Sequence, residues 1–418
     1  MTTETTLPRP ARTGPFAGLP RPFWILFYGS LVNRIGGVVS GFLVLYLTAI
    51  GIPLEQVGLV LAAKGVGALI SQPVGGVLTD LAWASEATGI RIGGRRFTLV
   101  LGLLASAACL TFLGAAQGLP MLVTAAFLHG VVADIFRPAA AALIADVVER
   151  PLLTKAYGLQ FWAINLGFSV ASVMAGHLAD SGYWLLFALN ATGCTAFAII
   201  VWLGIPRSAE RVVKSTVDGP KFGMRELFRD RLLLGVVLLV LAHATVYSQA
   251  EVIIPLAVKD SGLGAAGYGT IIAVNGVLIV ILQPLAAAWV ARFDRMRVLA
   301  LAWAVVGAGM ALTGLAETAL EYVLTVIVWT LGEIAMAGLL GSLAADLAPP
   351  AARGRYQAAI GFGFSAAAFT GPLLGTWVYQ HGGPAAAWFG CLALGLLGAA
   401  GALAIGPAIR RRTALAAG

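Results

Sequence analysis

Residues 51–73 read GIPLEQVGLVLAAKGVGALISQP, and residues 262–284 read GLGAAGYGTIIAVNGVLIVILQP. Set side by side, they match Gly51 with Gly262, Gly58 with Gly269, Gly65 with Gly276, Gln72 with Gln283 and Pro73 with Pro284, at a constant offset of 211 residues. Each stretch is one apolar run with a glycine every seventh residue and Gln-Pro at its end. A run this specific, repeated half a chain apart, implies two equivalent halves. Its length says what each half is made of, because a helix needs about 20 mostly apolar residues to cross a bilayer core.

Runs of that kind recur along nearly all 418 residues, which are 59% hydrophobic and 11% charged with a mean hydropathy of +0.90. A soluble domain carries roughly 25% charged residues, so water is not the main solvent of this chain. The short alternating strands of a membrane barrel are missing from the pattern. Charges, Pro and Gly bound apolar spans near 23–50, 56–82, 97–117, 120–147, 156–180, 183–206, 232–258, 267–292, 297–316, 320–346, 356–380 and 384–408. The expected fold is an all-α integral membrane protein, twelve transmembrane helices in two pseudo-symmetric six-helix bundles. Its parts are an N-terminal tail (1–22), the first bundle (23–206), a basic linker (207–231), the second bundle (232–408) and a C-terminal tail (409–418).

Lys and Arg concentrate in cytoplasmic loops of membrane proteins. With the N-terminus cytoplasmic, 23 of the 27 basic residues fall on that side, while the opposite side receives Lys259 together with Glu55, Asp180, Asp260, Glu317 and Glu321. A miscount of spans would scramble this asymmetry, so count and topology support each other. Both termini are therefore expected in the cytoplasm, with the chain multi-pass in the cell's inner membrane. The net charge of +8 belongs to these loops, and no basic soluble face suggests nucleic acid. Cys109, Cys194 and Cys391 lie singly in apolar runs, so neither a disulfide framework nor a zinc site is expected. No cofactor is called for, and the partners expected are membrane lipid and a small molecule, with the chain a monomer. The 52 glycines, mostly in helices, suit close helix contact in a membrane.

Short motifs add a resemblance. Gly76 and Asp80, four residues apart near the end of the second span, are followed by Gly94-Arg95-Arg96 before the third. This resembles the signature of the major facilitator superfamily, except that the family places its Gly three residues after the Asp, whereas Gly94 comes fourteen after Asp80. Arg137-Pro138-Ala139, then Ala145-Asp146, and Asn165-Leu166-Gly167 resemble that family's bacterial drug:proton antiporter branch. The Gly-Pro-x-x-Gly element of that branch is missing from span 5, where Ala171 to Gly176 lacks the Pro; Gly371-Pro372-Leu373-Leu374-Gly375 stands on span 11 instead. The resemblance implies a secondary transporter working by alternating access, with Gly76, Asp80, Gly94, Arg95 and Arg96 as a charge latch at the cytoplasmic gate. It also implies that spans 1, 4, 7 and 10 line a central cavity.

Charges at bilayer depth cost at least about 2.5–3.5 kcal/mol on insertion scales and mark function. Six lie inside the spans: Arg34, Lys64, Asp134, Arg137, Glu251 and Glu333. Five fall on spans 1, 4, 7 and 10; the cations are all in the first half and both glutamates in the second. Asp134, Glu251 and Glu333 are the candidates for proton coupling, protons being the expected coupling ion, with Arg34 and Arg137 changing their surroundings. A permanent Asp134–Arg137 pair, three residues apart on one helix face, is the structural alternative. Asn33, Trp162, His243, Tyr247, Gln249, Asn275 and Trp329 are cavity candidates that serve equally well in helix packing. Proton-coupled efflux of a drug or metabolite is the leading function. Uptake of a polar or anionic nutrient held by Arg34, Lys64 and Arg137 is the alternative. A membrane enzyme or receptor is disfavoured, since no phosphate-binding Gly-Lys-Ser/Thr loop, HExxH or paired metal ligands occur.

Overall fold

The computed structural model describes residues 18–80, 82–84, 91–206, 227, 229–290, 292–337, 339–349 and 353–417. Twelve helical spans are long and apolar enough to cross a membrane. Spans 1 to 6 are Arg21–Ala49, Leu54–Asp80, Arg95–Ala115, Leu119–Val147, Leu153–Ser181 and Trp184–Gly204. Spans 7 to 9 are Arg231–Asp260, Gly264–Val290 and Arg295–Thr313. Span 10 is Ala319–Met336 with Leu339–Leu347, span 11 is Arg353–His381, and span 12 is Gly383–Ala417. The last helix therefore continues through the stretch assigned to the C-terminal tail. Leu203, Leu315 and Leu285 are 79%, 78% and 69% exposed, which suits lipid rather than water as the surrounding medium.

Part of the stretch between Asp80 and Gly94 is a two-stranded antiparallel ribbon, Ala82–Ala84 against Arg91–Gly93, set beside an otherwise helical fold. Gly94 then takes φ 90° as the N-cap of span 3, a conformation that favours glycine. The side chains of Gly76 and Asp80 lie outside the described residues, as does the linker before Leu227.

Spans 1, 4, 7 and 10 are each broken. Span 1 divides at Gly37, between Arg21–Gly36 and Val39–Ala49. Span 4 divides at Asp134: Pro138 has no N–H for the Asp134 carbonyl, which accepts from Arg137 N at 3.1 Å instead. In span 7, Pro255 opens a new helix after Val252. Span 10 leaves helical geometry at Ala337, with ψ 128°. Hydropathy runs straight through all four breaks and does not mark them.

The halves meet along two seams, span 2 against span 11 and span 5 against span 8. The repeated glycines make both. A Cβ on Gly65 would stand 2.6 Å from Phe369 N on span 11, and one on its counterpart Gly276 would stand 2.8 Å from Asn165 O on span 5. Gly58 likewise faces Thr376, and Gly269 faces Ser172 and Gly176. Close backbone approach of this kind is how helices associate without a hydrophobic driving force. Gly65→Leu is expected to lower thermal stability in detergent by about 1–3 kcal/mol or more. Gly390→Ala, with nothing within 4 Å, is expected to stay within about 0.5 kcal/mol of wild type; equal melting temperatures for the two variants would contradict the seam.

Buried apolar side chains form two cores. One joins the first bundle to the far ends of spans 7, 8 and 10, the other fills the end of the second bundle that carries Leu227, Met296 and Ile409. A polar tie closes this second core. Asp230 caps span 7, its Oδ1 accepting from Leu232 N and Leu233 N at 3.1 and 3.2 Å. Its Oδ2 accepts from Arg412 Nη1 at 2.6 Å and from the Tyr356 hydroxyl, and Arg412 Nη2 donates to Leu347 O at 2.7 Å. Spans 7, 11 and 12 thus meet at one carboxylate, and Arg412 ties span 10 to it. Burial pushes the Asp230 carboxyl up, but the hydrogen bonds from Tyr356, Arg412 and Leu233 N, with the Arg412 charge, outweigh it and hold the group below the usual carboxylate range. A depressed carboxylate stabilises above its unfolded value, about 3.9, and that contribution is lost as pH falls through the folded value. Melting curves taken from about pH 7 to about pH 3 should show Asp230→Asn less stable than wild type at neutral pH, with the gap closing in acid; a constant gap would rule this tie out as the source.

Candidate functional site: a polar cavity between the halves

On the face away from the tails, the halves touch. The rings of Phe42 on span 1 and Tyr268 on span 8 meet edge-on at 5.1 Å, and Tyr268 OH donates to Ala250 O at 3.0 Å. Beyond them, Lys259 Nζ donates to Thr48 Oγ1 at 3.4 Å, and His381 Nε2 lies 3.3 Å from Glu55 Oε1. At the other end, a cavity of about 850 Å³ lies between spans 2, 4 and 11, bordered by Ala68, Asp134, Arg137, Gln357 and Phe362. Arg137, Gln357 and Phe362 are exposed there. The interior is therefore shut on the short-loop side and open towards the side of the basic loops.

Glu333 on span 10 is held by two neutral donors. Tyr247 OH on span 7 donates to Oε1 at 3.0 Å, and Asn275 Nδ2 on span 8 donates to Oε2 at 2.7 Å while also reaching Thr330 Oγ1 at 3.0 Å. Trp329 packs edge-on against Tyr247 at 6.1 Å, and His243, one turn before Tyr247, lies 6.2 Å from its ring and stacks on Trp303 at 6.0 Å. Four predicted positions, Tyr247, Asn275, Trp329 and His243, thus gather round one carboxylate. Among the described residues no cation pairs with Glu333.

In the first half the charges behave differently. Asp134 Oδ1 and Arg137 Nε form an ion pair at 2.6 Å across the break in span 4, and Asp134 N donates to Ser71 Oγ on span 2 at 3.1 Å. Lys64 Nζ donates to Ser40 Oγ at 2.7 Å. The Arg34 side chain makes no ion pair or hydrogen bond among the described residues, and its Nε is sealed from solvent without a partner. Glu251 borders a cavity of about 60 Å³ together with Arg34, Ser40 and Tyr268. Asn33 and Arg34 border another, of about 230 Å³, with Phe136 and Ile164.

The remaining candidates lie elsewhere. Gln249 Nε2 donates to Thr245 O, Ser248 Oγ and Gly371 O at 2.8, 3.1 and 3.1 Å, fastening span 7 to span 11. Trp162 is exposed on span 5. Arg95 pairs with Asp146, and Arg96 donates to Trp202 O with its guanidinium 4.6 Å from the Trp202 ring. Sequence reasoning passed over Ser40, Ser71, Tyr268 and Thr330. No spacing announces them, because each matters only through a helix distant in sequence.

Two six-span bundles closed on one face around charged interior groups make a multi-pass membrane transporter and not an enzyme. The chain belongs to the Major Facilitator Superfamily, whose family model matches residues 26–362 and again 252–416. The MFS-type transporters YqjV and YttB of Bacillus subtilis (strain 168) are 24% and 26% identical; the matches cover 85% and 87% of this chain and 84% and 90% of those proteins. The quinolone resistance protein NorA of Staphylococcus aureus is 24% identical over 48% of each chain. A POT family transporter solved with a thioalcohol-conjugated peptide superposes with a TM-score of 0.78 at 13% identity, covering 94% of this chain and 98% of that one. The nucleoside transporter NupG gives 0.74 at 11%, covering 94% and 99%; these likenesses show the fold.

Tyr247→Phe removes one of the two donors to a buried carboxylate. The expected cost is about 1–3 kcal/mol, read as a lower midpoint in thermal or denaturant unfolding, while the isosteric ring keeps its packing against Trp329. A midpoint equal to wild type would show the hydrogen bond to be energetically idle.

Proposed function

We propose that this protein exports a small amphiphilic molecule in exchange for protons, with Glu333 taking up and releasing the coupling proton. The observation that carries the reading is the setting of Glu333: a carboxylate in the interior of the second bundle, held by Tyr247 and Asn275 and joined to no cation among the described residues. Neutral donors tolerate both states of the group, whereas Asp134 is already committed to Arg137. In the outward state, Arg34 and Arg137 come to a different distance from the second bundle, and a change of electrostatic surroundings alters proton affinity. NorA, named for quinolone resistance, and the Na(+), Li(+), K(+)/H(+) antiporter of Planococcus maritimus, 23% identical over 63% of this chain, support an antiport reading. In this reading both termini and the basic loops face the cytoplasm, so the cavity described above is open inward to receive cargo, and one chain suffices.

Import of an anionic nutrient is the second reading, favoured by Arg34, a cation with no ion pair among the described residues. Reconstitution into vesicles with an imposed pH gradient separates them by direction of movement. Wild type should accumulate substrate against its gradient, and Glu333→Gln should lower that accumulation at least about tenfold, equivalent to about 1.4 kcal/mol, while inserting normally. Unchanged accumulation by Glu333→Gln would remove Glu333 from coupling.

A further inference from the structure

The geometry points to an anion-binding subsite at the break in span 1, one that takes the carboxylate or phosphate head of an amphiphilic organic acid. Three groups converge there. The helix Val39–Ala49 starts at the break with no side-chain cap, and the N–H groups of Val39, Ser40 and Gly41 have no backbone acceptor among the described residues. Free N–H groups at a helix start attract anions, and half-helices broken at mid-membrane are where transporters present such ends to charged ligands. Arg34, three residues before the break, borders the same small cavity with its Nε sealed and unpartnered. Lys64 reaches the first turn through its hydrogen bond to Ser40. Two interior cations are thus present, and neither makes an ion pair among the described residues.

Glu251 supplies the counter-charge. It borders the cavity from span 7, and its field acts on both Arg34 and Lys64. A buried cation without a partner is costly, so the second half's carboxylate balances the site when it is empty and competes with an arriving anion. The volumes set the shape of the ligand. The cavity at the break is small, about 60 Å³, and suits a compact acidic group. Arg34 also borders the 230 Å³ cavity, where Phe136, Ala140, Ile144 and Ile164 form an apolar face beside the polar Asn33, Arg137 and Gln160. An acid head on one side of Arg34 and a hydrocarbon body on the other satisfies both spaces.

This inference names the substrate class of the transport reading above and rests on it, but its test needs no gradient. Binding of radiolabelled octanoate and octyl phosphate to the detergent-purified full-length protein is compared with that of octanol and octylammonium. The two acids should bind at least about tenfold tighter than the other two, and inorganic sulfate should displace them. Arg34→Gln should erase the preference, Arg34→Lys should restore part of it, and Glu251→Gln should tighten octanoate several-fold by removing the competitor. Equal binding of octanoate and octanol to wild type overturns the subsite, whatever the variants do. So does an unchanged preference in a monodisperse Arg34→Gln protein. Proton coupling can fail at Glu333 with this binding intact, and the subsite can fail while neutral or cationic compounds are still exported.

Discussion

Backbone N–H and C=O groups cannot be left bare in hydrocarbon, where each unsatisfied group costs several kcal/mol. That constraint makes every span a helix, and it also dictates where a helix may be interrupted. Breaks at Gly37, Asp134, Val252–Ile253 and Ala337 occur in spans 1, 4, 7 and 10, the spans that carry Arg34, Asp134, Arg137, Glu251 and Glu333. A break that faced lipid would be ruinous; one that faces a polar interior exposes groups a ligand or ion can use. The interruption of the backbone and the burial of charge therefore share one location, and each makes the other tolerable.

The two halves spend their interior polarity differently. The first half holds its cations loosely, with Lys64 on a hydroxyl and Arg34 on nothing, and it commits Asp134 to Arg137. The second half encloses Glu333 in neutral donors and leaves Glu251 at the junction. Formal charge balances over the whole interior but not within either half. The bundles are thus drawn together across the cleft by a field that no single contact embodies.

Much of this architecture was legible in the amino-acid order. Hydropathy yields twelve spans, and the offset of 211 residues implies two equivalent halves, although not that Gly65 and Gly276 form the seams between them. The interior charges are visible because they interrupt apolar runs. The partnerships are not visible: Tyr247, Asn275 and Glu333 were three separate candidates until spans 7, 8 and 10 brought them together. Pro138 and Pro255 do signal breaks in spans 4 and 7, but hydropathy averages over them. Arg95 bonds to Asp146 and Arg96 to Trp202 O, two partners that no motif spacing announces. The local ribbon of residues 82–84 and 91–93 had no hydrophobic period to reveal it.

The glycine seams also have a mechanical meaning. Span 2 on span 11 and span 5 on span 8 are close contacts made at small residues, Gly58 and Gly65 in one and Gly269 and Gly276 in the other. In the alternating-access reading proposed above, they are a pair of bearings about which the bundles tilt as rigid levers. Because the pivot lies between the two faces, any widening at one is a narrowing at the other. A continuous pore is thereby forbidden by leverage, without a separate lock for each door.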